Sequence, residues 1–167
     1  MHVFVTGGTG YIGSHLIPEL LARGHRVAAL TRPKSAHRLT PGCRIVIGDA
    51  LDAPSYVQQI NGADTLVHLV GVAHPGPAKA MEFQTVDLVS ARAALSAAMK
   101  ARVKHLLYLS VAQPAPVMRA YVNARAEADL RLNTAQLTGA DVLHLALAYL
   151  RAKRIRHAPG PLPPPGE

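Results

Sequence analysis

The sequence has one cysteine, Cys43, among its 167 residues, so no disulfide can form within the chain. A single cysteine is typical of proteins from a reducing compartment. No apolar run reaches the roughly 18 residues that a membrane helix requires, because His144 interrupts the longest run, around residues 142–150. The amino end shows no basic segment followed by a cleavage site, which is the pattern of a secretory signal. The sequence therefore predicts a cytoplasmic protein that does not span a membrane.

Patterns that bind metal ions are also missing. The nine histidines are dispersed and form no HxxxH or HExxH arrangement, and one thiol cannot build a thiolate cluster. We expect no bound metal. We interpret Cys43, which follows Pro41 and Gly42, as a small apolar structural residue.

The composition suits one folded domain with an anionic partner. Hydrophobic residues make up 49% of the chain and charged residues 17%, which is enough to bury a core. The net charge of +8 favours a phosphate-bearing cofactor, a nucleic acid or a membrane surface as partner. The basic segment 151–157 has only Tyr149 nearby for stacking on bases, so the sequence does not favour a nucleic-acid partner.

Strand-like apolar runs alternate with helix-like stretches along most of the chain. The predicted strands are residues 2–6, 26–31, 44–47, 65–70, 104–110 and 141–147, and the predicted helices are residues 11–23, 80–100 and 119–132. This alternation predicts an α/β fold with a doubly wound parallel sheet of the Rossmann type. We expect residues 1–150 to form this single domain. Residues 151–167 are expected to be a flexible tail, first basic and then proline-rich.

A glycine-rich loop, Thr6-Gly7-Gly8-Thr9-Gly10-Tyr11-Ile12-Gly13, lies between the first predicted strand and the first predicted helix. Gly7 allows a tight turn, Gly10 leaves room for a pyrophosphate against the backbone, and Gly13 lets the helix pack against the strand. The free amides at the helix start attract phosphates. The loop therefore predicts a dinucleotide-binding site.

These residues resemble the TGxxGxxG cofactor loop of the short-chain dehydrogenase/reductase superfamily. The longer string TGGTGYIGSHL is similar to its extended and atypical branches, which include sugar-nucleotide epimerases and NmrA-like proteins. The resemblance implies an NAD(P)-binding protein. It covers the chain at least to Asp129, and we expect it to stop near Leu137, as if the chain were shortened and lacked a complete substrate domain.

The resemblance implies further contacts to the cofactor beyond the glycine loop. Asp49 corresponds to the family's adenine-contacting aspartate, and the segment after the fourth strand lines the ribose. The implied cofactor residues are Gly7, Thr9, Gly10, Tyr11, Ile12, Gly13, Arg32, Asp49, Ala50, Leu69, Val70 and Gly71. Asp87 lies near a position where extended members have Asn, and we interpret it as a helix-face residue.

The end of the second predicted strand bears on the choice between NAD and NADP. No acidic residue occurs between Glu19 and Asp49, so the carboxylate that would bind the ribose hydroxyls of NAD is missing there. Arg32 instead offers a planar cation for a 2′-phosphate, and Lys34 and Arg38 add positive charge. The sequence favours NADP, with NAD as the alternative.

The resemblance also implies a catalytic set, which is altered in this chain. Ser110 would bind the substrate oxygen, and Tyr121 with Arg125 occupies the place of the family's YxxxK. Arginine keeps a cation near the phenol but does not replace lysine equally at a fitted site. We therefore expect an oxidoreductase for a small carbonyl or quinone, or alternatively a redox-silent NAD(P)-binding sensor or assembly protein. A homodimer could cover the face that a substrate domain would otherwise cover.

Overall fold

The computed structural model describes residues 1–72 and 77–109, and these residues form one five-stranded parallel sheet. The strands are β1 (His2–Thr6), β2 (Arg26–Thr31), β3 (Arg44–Ile47), β4 (Thr65–His68) and β5 (His105–Tyr108). Their order across the sheet is β3-β2-β1-β4-β5, and every neighbouring pair is parallel. The predicted fold class, an α/β doubly wound parallel sheet, is confirmed.

Helices of different lengths connect the strands. They are α1 (Tyr11–Ala22), a 3-10 helix (Pro33–Arg38), a 3-10 turn (Ala53–Ser55), α2 (Val57–Ile60), a 3-10 turn (Pro77–Lys79), α3 (Ala80–Glu82), a π-helical stretch (Phe83–Leu88) and α4 (Val89–Lys100). The segment predicted as one helix over residues 80–100 is therefore helical throughout, with a wider π stretch inside it. The short helices between β2 and β4 were not predicted.

Both faces of the sheet are covered, which is why its strands are apolar on both sides. On one face, Val5 of β1 and Ala29 of β2 pack with Ile17 of α1. On the other face, Phe4 packs with the fully buried Tyr56, and their rings stack with centroids 6.1 Å apart. Among the described residues, the two layers cover the faces of the sheet.

Small side chains bring α4 close to the sheet. Ala94 and Ala97 are almost completely buried and belong to the same core cluster as Phe4 and Leu66. An alanine has no atoms beyond Cβ, so the helix can lie close to the strands without leaving voids. The alanine-rich stretch thus places α4 firmly beneath the carboxyl end of β4.

Polar contacts hold the amino edge of the sheet. The Asp64 carboxylate accepts a hydrogen bond from the His2 backbone N–H at 2.9 Å and pairs with Lys104 Nζ at 3.2 Å. These contacts lower the pKa of Asp64, the hydrogen bond from His2 more than the charge of Lys104. They join the starts of β1, β4 and β5 at the edge opposite the glycine loop.

Several predictions concern residues beyond the described ranges. They are the strand over 141–147, the helix over 119–132, the domain boundary at residue 150 and the tail over 151–167. These stay predictions. Within the described ranges, β4 and β5 are shorter than predicted, because pairing ends at His68 and Tyr108.

Candidate functional site

The candidate site is the crevice at the carboxyl ends of β1 and β4. The chain leaves β1 toward β2 on one side, and β4 continues the sheet on the other side, so the strand order reverses there. Ligands of open α/β sheets bind at this kind of switch point. A Cβ placed on Gly7 would lie 2.7 Å from the Leu69 carbonyl carbon, so the loops after the two strands are in direct contact.

Glycine is required at each of these loop positions for a different structural reason. Gly7 has a φ of +78°, which L side chains rarely adopt. A Cβ on Gly13 would lie 2.5 Å from Gly8 Cα, so Gly13 lets the start of α1 approach the glycine loop, and not the strand as predicted for this residue. Gly8 was not given a role from the sequence, yet a Cβ there would meet Ile17 Cδ1 at 2.9 Å.

Gly10 is the position where a ligand can approach. Among the described residues, an added Cβ would meet only the Gly7 carbonyl oxygen, at 3.3 Å, and otherwise open space. Gly10 is also the residue before α1, and no side chain of the described part of the chain caps that helix. The first-turn amides, which begin at Tyr11 and Ile12, therefore have no partner within the helix. The geometry fits a pyrophosphate at Gly10.

The loop after β2 carries positive charge at the solvent. Arg32, Lys34 and Arg38 are all exposed, and Arg32 directly follows the last residue of β2. The Thr31 hydroxyl donates to the Arg32 carbonyl oxygen at 3.2 Å, which ties the start of this loop to the strand. Arg32 thus follows the strand that pairs with β1, at the edge of the sheet where the adenosine half of a dinucleotide would lie.

Asp49 lies beyond the end of β3 in a fixed turn. Its Oδ1 accepts a hydrogen bond from the Leu51 N–H at 2.9 Å, and its own N–H donates to Ser55 Oγ at 3.0 Å. Ser55 also donates to the Asp52 carbonyl oxygen at 2.7 Å. These bonds orient the exposed Asp49 carboxylate, with Ala50 half-buried next to it. Nothing in the sequence indicated that Ser55 takes part.

The segment after β4 is held by a buried carboxylate. Leu69 and Val70 are half-buried and Gly71 is exposed, and the Val72 N–H donates to Asp87 Oδ2 at 2.9 Å. Asp87 is 1% exposed, so it lies on the buried face of its helix. The interpretation from the sequence missed this, because burial against a loop leaves no periodic signal.

A buried histidine lies beneath the crevice. His68 Nδ1 is 2.8 Å from Thr6 Oγ1, and His68 Nε2 is 3.3 Å from Ser90 Oγ. The His68 and Tyr108 rings stack with centroids 5.8 Å apart. In the described residues, no group of three or more potential ligand side chains could hold a metal ion.

The structure describes only some of the remaining residues for which the sequence predicts a role. The implied catalytic residues Ser110, Tyr121 and Arg125 lie outside the described residues.

Burial raises the pKa of the Cys43 thiol, which keeps the thiol protonated and agrees with a structural role. Within residues 1–72 and 77–109, no helix has the length and apolar character needed to cross a membrane.

The family follows from comparison with known proteins. A sequence model of the NAD dependent epimerase/dehydratase family matches residues 3–153. The chain belongs to this family. The predicted resemblance to the extended branch of the short-chain dehydrogenases/reductases is confirmed, and a nicotinamide dinucleotide is the cofactor class that the family supports. The match continues past residue 137, so the expectation that the resemblance stops there is wrong.

Individual relatives have varied names. A 4-hydroxy-2-methyl-3-oxo-4-farnesyl-3,4-dihydroquinoline-1-oxide ketoreductase of Stigmatella aurantiaca is 30% identical over 112 residues, 66% of this chain and 33% of that protein. A dTDP-6-deoxy-L-talose 4-dehydrogenase (NAD(+)) of Aggregatibacter actinomycetemcomitans is 36% identical over 83 residues, 46% of this chain and 31% of that protein. The chain thus spans about a third of the length of these curated relatives.

Solved structures support the same fold. The Bordetella bronchiseptica enzyme WbmH, solved in complex with NAD+, superposes with a TM-score of 0.65 at 23% identity. The superposition covers 81% of this chain and 52% of that one. At this identity the similarity concerns the fold alone, and it agrees with the sheet order described above.

Proposed function

We propose that this protein binds NADP(H) and acts as an oxidoreductase that transfers hydride between NADP(H) and a small carbonyl or quinone compound. The observation that carries the proposal is the open space at Gly10, at the start of an uncapped helix and in the switch-point crevice. The family supports the cofactor class. The single cysteine supports a cytoplasmic location.

The described residues would hold the cofactor by its two ends and its middle. The pyrophosphate would lie against Gly10 and the first-turn amides, and the adenine amino group would donate to the Asp49 carboxylate. Arg32 would bind the 2′-phosphate with charge-assisted hydrogen bonds. The nicotinamide end would extend along the segment after β4, past Leu69 to Gly71.

The chemistry is proposed for three residues beyond the described ranges. When bound, the nicotinamide supplies the hydride acceptor or donor. Tyr121 would exchange a proton with the substrate oxygen, and Ser110 would hydrogen-bond the same oxygen. A phenol has an ordinary pKa near 10, so Arg125 would favour the phenolate at neutral pH by its charge. In the alternative, a redox-silent nucleotide-binding protein, Arg125 would not replace lysine in this task.

The preference for NADP rests on Arg32 and is tested by its removal. The purified protein is titrated with NADPH and NADH by nicotinamide fluorescence. Arg32→Ala should raise the Kd for NADPH at least tenfold and leave the Kd for NADH within about twofold, since only NADPH carries the 2′-phosphate. Arg26→Ala is the control, because Arg26 is an exposed arginine at the opposite end of the same strand.

The possible outcomes distinguish the proposed cofactor preference, the proposed cofactor binding and the redox-silent alternative. If wild-type protein binds NADH as tightly as NADPH, the preference for NADP is wrong while the cofactor class stands. If neither nucleotide binds, the proposed function is wrong. Where binding is found, a screen of carbonyl and quinone substrates with Tyr121→Phe as control distinguishes an oxidoreductase from the redox-silent alternative.

A further inference from the structure

A series of buried polar contacts joins the two loops that border the crevice. Thr6, the last residue of β1, contacts His68 Nδ1 at 2.8 Å. His68 Nε2 contacts Ser90 Oγ at 3.3 Å, and Ser90 Oγ donates to the Asp87 carbonyl oxygen at 3.1 Å. The Asp87 carboxylate then accepts the Val72 N–H at 2.9 Å. The contacts thus run from the start of the glycine loop to the segment after β4.

The contacts define which ring nitrogen of His68 carries the proton. The Ser90 hydroxyl hydrogen is directed at the Asp87 carbonyl, so Ser90 Oγ accepts from His68 Nε2–H. His68 Nδ1 then accepts from the Thr6 hydroxyl. His68 is 1% exposed, and both of its ring nitrogens have a hydrogen-bond partner. One tautomer therefore satisfies all of these bonds.

Stability alone does not explain these residues. Thr6, His68, Ser90 and Asp87 are each at most 1% exposed. Apolar side chains of similar shape could replace Thr6, His68 and Ser90 together at little net loss, because replacing both partners of a buried hydrogen bond is nearly neutral. The Leu69 N–H already donates to the Thr6 carbonyl oxygen at 3.0 Å, and the directional side-chain bonds extend this connection to Val72. The two loops fixed here are those that would contact the cofactor.

We propose that His68 is a positioning residue that couples the glycine loop to the segment after β4, so that both are preformed for the dinucleotide. This inference rests on the proposed cofactor binding, although the buried contacts are present without the cofactor. Preformed loops lower the ordering cost of binding, so loss of the coupling weakens affinity beyond any effect on folding.

The test uses Thr6→Val, which keeps the shape of the side chain and removes the hydroxyl that His68 needs. Thr6→Ser keeps the hydroxyl and is the rescue variant. Thr65→Val is the matched control, because Thr65 is a buried threonine at the other end of β4 whose hydroxyl lies 3.4 Å from His105 Nδ1. Ser90→Ala removes the His68 contact from the helix side and serves if Thr6→Val does not fold.

Two readouts are compared among these variants. The first is the Kd for NADPH. The second is amide hydrogen exchange at Gly10 and Val72 in the protein without nucleotide. Thr6→Val should raise the Kd about tenfold and speed exchange at both amides about tenfold. Thr6→Ser should restore both to within about threefold of wild type, and Thr65→Val should change neither by more than twofold while lowering thermal stability.

The outcomes distinguish this inference from the proposed function. If Thr6→Val and Thr65→Val give the same Kd and the same exchange rates, His68 is only structural and the inference is overturned. Faster exchange with an unchanged Kd also overturns it, since the coupling would not serve binding. If wild-type protein binds neither nucleotide, the proposed function fails, and joint exchange of Gly10 and Val72 alone decides whether the coupling exists.

Discussion

At the scale of single residues, the surroundings raise the pKa of a buried hydroxyl, that of Tyr56, and lower the pKa of a surface carboxylate, that of Asp64. The Tyr56 hydroxyl is buried and has no hydrogen-bond partner among the described residues. Burial raises the pKa of Tyr56 far above its ordinary value, with Asp52 and Asp49 adding to the effect. The ring packs well on Phe4, but its oxygen has lost the hydrogen bonds of water without replacement.

Removal of that oxygen should therefore not harm the fold. We expect Tyr56→Phe to leave the free energy of unfolding unchanged or to raise it by up to about 1 kcal/mol, because the unsatisfied group is gone. Tyr56→Leu, which removes the ring, should instead lower it by about 2–4 kcal/mol. Urea denaturation measures both. A loss of more than about 1 kcal/mol in Tyr56→Phe would show that the hydroxyl is bonded in solution.

Asp64 gives a pH-dependent prediction. Its folded pKa lies below the ordinary value of 3.8, so its contribution to stability is present above pH 3.8 and is lost as the pH falls through the lowered folded pKa. Asp64→Asn should be less stable than wild type at pH 7, and the difference should shrink as the pH falls through the lowered folded pKa of Asp64. Denaturation curves from pH 2.5 to 7 measure it. A difference that does not change with pH would contradict the assignment to charge.

At the scale of secondary-structure elements, the sequence predicted most of the fold but little of the buried polar contacts. Apolar runs allow the strands to be predicted, because both faces of the sheet are covered. The strands β1, β2 and β3 have the predicted bounds. The helix over residues 33–38 is too short to show an apolar period. His68 and Asp87 needed the structure, since contacts between distant segments determine their burial.

At the site, the sequence likewise predicted the glycine loop but not the contacts that its residues make. Its motif in the context of strand and helix predicted the site, because backbone geometry requires glycine there. The sequence did not indicate that Gly13 packs on Gly8, or that Ser55 orients Asp49, since both contacts depend on how the chain folds back on itself.

The close packing of α4 predicts a strong effect of side-chain size. Ala97 is fully buried against the sheet, so the extra atoms of Ala97→Leu have no space and must displace the helix. We expect a loss of about 1–3 kcal/mol in the free energy of unfolding. Lys100→Leu, at the exposed end of the same helix, should change it by less than about 0.5 kcal/mol. Equal effects in urea denaturation would contradict this packing.

At the scale of the whole molecule, cofactor binding and folding are linked. A ligand that binds only the folded state at 100 times its Kd raises the free energy of unfolding by about 2.7 kcal/mol. NADPH should give this shift in wild type. In Gly10→Ala the new methyl group occupies the open space where the pyrophosphate would lie. That variant should fold with near-normal stability but gain no more than about 0.5 kcal/mol at the same nucleotide concentration.

Differential scanning fluorimetry with and without NADPH measures this link. An equal shift in wild type and Gly10→Ala would place the nucleotide elsewhere on the protein. A large loss of stability in the variant without nucleotide would show that Gly10 serves the fold and not the ligand, which the open space around it argues against.

The central place of β1 in the sheet also has a consequence for the speed of folding. β1 pairs with β2 on one side and with β4 on the other, and the bond from His2 to Asp64 joins residues 62 positions apart. Closing so long a loop costs chain entropy before the contacts between the paired strands stabilise the structure. The pairing of β1 with β4 is therefore expected to be the slow step of folding. The crevice at the carboxyl ends of β1 and β4 can then form only after this slow pairing is complete.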